Sequence, residues 1–91
     1  MKLNRGYFDN ILKLFNNKKI EPVEMKQLYA YNHIFLILLD TAKTLGYNIL
    51  DTDTFLFINR IYSEIIVSLI EGKDFYVEFI PEKQDIVFKT L

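Results

Sequence analysis

The sequence predicts a small, helix-dominated α+β domain: three helices followed by a C-terminal antiparallel β-hairpin. Three observations predict it. Apolar residues recur at three- and four-residue spacing through most of the chain up to Glu71, which is the helical period. Glycines and acidic caps punctuate that pattern where helices should stop and start. From Phe75 the period drops to two, and Pro81-Glu82-Lys83-Gln84 separates two apolar-rich runs, which is a hairpin signal.

The first helix is expected over about residues 4–19. Asn4 is the candidate cap, and Tyr7, Phe8, Ile11, Leu12, Leu14 and Phe15 supply the apolar side. A side-chain oxygen at the cap accepts from an otherwise unpaired backbone N–H. Lys18 and Lys19 fall in the last turn, where cations complement the helix dipole. The second helix is expected over about 22–45: Pro22 suits the first helical position, Glu24 follows in the first turn, and Gly46 supplies the stop. Leu28, Tyr31, Ile34, Phe35, Leu38, Leu39, Ala42 and Leu45 form its broad apolar stripe. The third helix, about 53–71, opens on Asp51-Thr52-Asp53 and closes on Gly72. Phe55, Ile58, Ile61, Tyr62, Ile65, Ile66, Leu69 and Ile70 are its core side, and Arg60 and Glu64 are spaced as an i, i+4 pair.

The hairpin strands are expected at about 75–80 and 85–90. A lone two-stranded hairpin is marginal in water, so it must lie on the helices or extend a sheet with another chain. Its edges carry unpaired backbone groups that invite strand addition. No repeat, low-complexity tract or linker divides the sequence, and residues 1–91 read as a single domain.

Composition supplies the functional expectation. Apolar residues make up 51% of the chain and charged residues 25%, and only two of the apolar residues are Ala. That excludes a disordered tail. A domain this small buries only roughly 60–65% of its unfolded surface, so large side chains must remain near the outside. Met25, Tyr29, Leu36 and Ile37 on the second helix, and Leu56, Phe57 and Val67 on the third, lie off the core stripes. The candidate interface is therefore Tyr29, His33, Leu36, Ile37, Leu56, Phe57 and Val67, with Phe75, Val77 and Phe79 along the hairpin.

Catalytic constellations are missing from the sequence. Cysteine is absent and His33 is the sole histidine, with Asp40 seven residues away. Those two side chains sit roughly 10 Å apart along a helix, too far to share one ion. Asp51 and Asp53 resemble the start of a calcium loop, but no glycine turn or twelfth-position Glu follows. Ser63 and Ser68 lie within a helical pattern, and Gly6, Gly46 and Gly72 are isolated, so neither a nucleophile elbow nor a phosphate loop is spelled out. The expectation is a non-enzymatic protein with no catalytic residues, no cofactor and no metal.

The net charge is −1, which gives no strong field to gather nucleic acid. Residues 1–19 hold five cations against one acid, a local +4, on a remainder of −5. That asymmetry suggests internal complementarity as readily as an external target. The longest unbroken apolar run, Ile34 to Leu39, is far short of a membrane span. Asp9, Asn10 and Lys13 interrupt what would be the apolar part of a signal peptide, so a cytoplasmic location is expected. The leading expectation is a protein-binding module (modulator, inhibitor or adaptor) that self-associates, as a homodimer. Two alternatives stand beside it. Three helices followed by a hairpin is the element order of a winged helix, whose nucleic-acid footprint here would be Lys2, Arg5, Lys13, Lys18 and Lys19. The other is a small cytosolic antitoxin of the immunity type.

Overall fold

A computed structural model describes residues 1–16 and 23–91 and gives an antiparallel sheet with helices packed on one face. In chain order the elements are β1 (Lys2–Asn4), α1 (Arg5–Asn16), α2 (Val23–Thr44), α3 (Thr52–Glu71), β2 (Phe75–Ile80), a 3₁₀ turn (Pro81–Lys83) and β3 (Asp85–Thr90). The domain is helix-dominated α+β, as its periodicities require. Lys18, Lys19 and the Glu21-Pro22 restart lie outside the described residues, as does the side chain of Met25.

One element was not expected. Lys2–Asn4 forms a third strand, and the sheet order is β1-β2-β3, with both pairings antiparallel. The hairpin is therefore not alone, and the edge of β2 that faces away from β3 is closed by the same chain. Leu3 pairs with Val77, while Met1 exchanges bonds with Phe79: the Phe79 N–H donates to the Met1 carbonyl at 2.8 Å, and the Met1 amine donates to the Phe79 carbonyl at 3.1 Å.

Alternation then fixes the two faces of the sheet. Leu3, Phe75, Val77, Phe79 and Ile86 turn toward the helices and join one core with Phe8, Ile11, Ile34, Leu38, Ala42, Ile58, Ile61 and Ile65. Aromatic rings join helix to sheet and strand to strand: Phe8 meets Phe75 at 5.7 Å between centroids, and Phe75 stacks on Phe88 of the neighbouring strand at 5.4 Å. The opposite face carries Lys2, Asn4, Tyr76, Glu78, Asp85, Val87 and Lys89, none of them buried. Lys2 stands opposite Glu78 in the ladder, and its ammonium lies 3.9 Å from the Tyr76 ring centroid, so polar and charged side chains dominate a face that also carries half-buried Ile80 and Val87.

Helix ends follow the local chemistry. The Asp51 carboxylate caps α3 by accepting from the Thr54 N–H and hydroxyl, each at 3.1 Å. Gly72, at φ +72°, closes α3 in the left-handed conformation, with the Lys73 N–H reaching the Ser68 carbonyl at 3.0 Å. Gly46, at φ +92°, ends the second helical segment in the same way, with the Tyr47 N–H reaching the Ala42 carbonyl at 2.9 Å.

Candidate functional site

Two depressions flank the domain, one between α1 and α2 and one between α3 and β3; α2 packs on both other helices, and α3 on β3. In the first, between α1 and α2, Tyr7, His33, Leu36, Ile37, Asp40 and Thr41 line a space of about 350 Å³. The seven-residue spacing of α1 places exposed Leu14 on the same side as exposed Tyr7, two turns along. Leu36 stands 60% exposed, which is high for a leucine in mid-helix, and Tyr29 is exposed seven residues before it. The His33 ring packs on Phe15 at 5.5 Å between centroids, which seats the imidazole at the rim of the groove. Four of the expected interface residues, Tyr29, His33, Leu36 and Ile37, thus share one side of α2. Ile37 forms its floor, packed against the core.

The second depression runs between α3 and β3. Ser63, Glu64, Val67, Glu71, Lys73 and Phe88 line about 250 Å³ of space, and Val67 is 50% exposed. Lys73 and Glu71 pair across its rim at 2.8 Å. Leu56 lies on the same stripe of α3, eleven residues before Val67, and is exposed; Phe57 packs against the core beneath. The Arg60 guanidinium, spaced for a pair with Glu64, lies over the Phe57 ring at 5.1 Å.

The hairpin part of the expected interface is corrected. Phe75, Val77 and Phe79 are 1%, 0% and 1% exposed. They are the centre of the domain's own core, because β2 is the middle strand and their alternate face points at the helices. Sequence alternation marks such a face but does not say which way it turns.

The basic residues are dispersed. Lys2 lies on the polar face of the sheet, and Lys13 is exposed on α1. Arg5 is held internally: its Nε lies 3.2 Å from an Asp9 carboxylate oxygen, and Nη1 lies 4.0 Å from Asp74. The Asp74 contact joins the basic first segment to the acidic remainder, whereas Asp9 belongs to that segment itself. Lys18 and Lys19 are outside the described residues.

Two tyrosines have raised pKa values, and both belong to packing. Burial pushes Tyr47 up, reinforced by the nearby Asp85 and Glu82 charges, while its hydroxyl donates to the Asp85 carbonyl and ties the α2–α3 turn to the hairpin. Burial, with Tyr31 close by, raises Tyr62, whose ring meets Phe35 at 5.0 Å. Among the described residues, no three His, Cys, Asp or Glu side chains are placed to hold a metal ion, and no helix is long and apolar enough to cross a membrane. No family model matches the sequence, and neither a curated protein nor a solved structure is detectably similar to it.

Proposed function

We propose that this chain is a small non-enzymatic protein-binding module that self-associates and receives another protein in the groove between α1 and α2. The observation that carries this reading is the exposed apolar stripe on that flank, with Tyr7, Leu14, Tyr29 and Leu36 set around His33. Apolar patches rimmed by polar groups are a mark of interaction sites. Complete burial of one such side chain contributes roughly 1.5–3 kcal/mol, so a few of them support a specific complex. The groove lies between two helices and is lined largely by their apolar side chains, a setting suited to the apolar face of an amphipathic helix.

The test is affinity capture from the source cells with the unmodified chain and with Leu36→Glu, both verified as folded by circular dichroism. The expected result is a protein retained by the first and lost with the second. Identical retained proteins for both would overturn the reading.

A further inference from the structure

We propose that a second copy of this chain adds to the open edge of β3 across a two-fold axis at Val87, joining two three-stranded sheets into one continuous six-stranded sheet. The proposal rests on the reading of the chain as a self-associating module and names the surface that does it.

The backbone identifies the free groups. The Leu91 N–H donates to the Asp74 carbonyl at 2.9 Å, which extends the β2–β3 ladder by one position. By antiparallel alternation, Asp85, Val87 and Lys89 direct their backbone groups to β2, while Ile86, Phe88 and Thr90 direct theirs outward. The Ile86 N–H accordingly donates not to β2 but to its neighbour's carboxylate, Asp85 Oδ1, at 2.9 Å. β3 is also the longer of the two edge strands, since β1 spans only Lys2–Asn4.

The side chains of β3 match their own reverse. Asp85 and Lys89 lie two positions either side of Val87 on the outer face of the sheet. An antiparallel pair centred on Val87 therefore sets each Asp85 opposite the other copy's Lys89, and opposite charges directly across a pair are favourable. Ile86 and Phe88 lie one position either side and meet as hydrogen-bonded pairs, each exchanging two backbone bonds. The Phe88 carbonyl of the second copy takes over the Ile86 N–H, which frees Asp85 for Lys89. Phe88 is only half-buried at the groove it shares with Val67, and the incoming Ile86 covers that open flank. Moving the axis to Ile86 or Phe88 sets Lys89 against Lys83 or Val87 and loses the charge pairing.

The chain has no cysteine, so a single introduced thiol can pair only with its own copy. Val87 meets its counterpart as a non-hydrogen-bonded pair, with Cα atoms about 4.5 Å apart, inside the range that a disulfide spans. Under mild oxidation at low micromolar concentration, Val87→Cys is expected to convert to a disulfide dimer. Thr90→Cys, roughly 20 Å from its counterpart in this register, is expected to convert at least about tenfold more slowly. Light scattering of the unmodified chain is expected to give twice the 10.9 kDa chain mass. Lys89→Asp is expected to reduce it to the monomer, and the double variant D85K/K89D to restore it. Should Asp85→Lys disturb the turn, Lys89→Asp and Val87→Cys leave the Asp85 contact untouched and still decide. A dimeric mass without preference for Val87→Cys, or unaffected by Lys89→Asp, overturns this interface while sparing self-association. A monomeric unmodified chain overturns both.

Discussion

Tyr47 shows how one hydroxyl decides the geometry of a small domain. Its ring meets Phe79 edge-on at 6.1 Å, and its O–H satisfies the Asp85 carbonyl, so the turn after α2 is fixed to the first residue of β3. Tyr47→Phe keeps the ring and removes the hydroxyl's hydrogen bond to that carbonyl. The expected cost is about 1 kcal/mol at neutral pH, read from the urea midpoint. A pH dependence follows from the raised pKa of Tyr47. The folded state holds the phenolic proton more tightly than the unfolded chain, whose tyrosines titrate near pH 10. The stability this represents is complete below that pH and is lost as pH rises through the folded value. The difference between the unmodified chain and Tyr47→Phe should therefore narrow above about pH 10; curves that stay parallel would refute the assignment. Phe8, fully buried against Phe75, is the counterpart among apolar side chains. Phe8→Ala should cost about 3–5 kcal/mol, a large share of the roughly 5–15 kcal/mol that holds a typical domain together.

The elements separate what periodicity can carry from what it cannot. α2 and α3 were legible because their stripes and glycine stops agree, and Gly72 supplies a direct check. A Cβ there meets nothing within 4 Å, so Gly72→Ala tests conformation alone at φ +72°. It should lower stability by roughly 1–2 kcal/mol, measured by thermal or urea unfolding, whereas a neutral result would mean that the helix end rearranges. β1 was not legible, because three residues hold no period and Leu3 acquires meaning only opposite Val77. Leu3→Ala should cost about 2 kcal/mol or more and speed hydrogen exchange at the Phe79 amide, which is bonded to the Met1 carbonyl. Unchanged exchange would detach β1 from the sheet. Stripe edges are less legible: Leu28, Phe55 and Ile70 fall on apolar stripes yet are exposed. An apolar stripe wider than the contact a helix makes leaves its flanks in water. The same ambiguity governs the candidate surfaces, where exposed Leu36 and Val67 were legible by their angle on the helix. The inward turn of Phe75, Val77 and Phe79 was not, since it depends on which side of the sheet the helices cover.

At the scale of the molecule, the two surfaces are built from different elements, one from α1 and α2 and one along the free edge of β3. A dimer closed through β3 would carry its two α1–α2 grooves on elements outside that junction, each free to take a partner. Changes at well-separated sites with no shared contacts add with little coupling. Leu36→Glu should therefore abolish capture of a protein partner while leaving the light-scattering mass of the dimer unchanged. Lys89→Asp should halve the mass while each chain keeps its groove. Binding to a bivalent dimer is strengthened when both grooves engage one multivalent target, so the Lys89→Asp monomer should lose apparent affinity for an immobilised partner and retain it for the same partner free in solution. If Leu36→Glu instead converts the dimer to a monomer, the α1–α2 flank is the self-association surface. In that case the apolar stripe around His33 has a second copy, and not another protein, as its occupant.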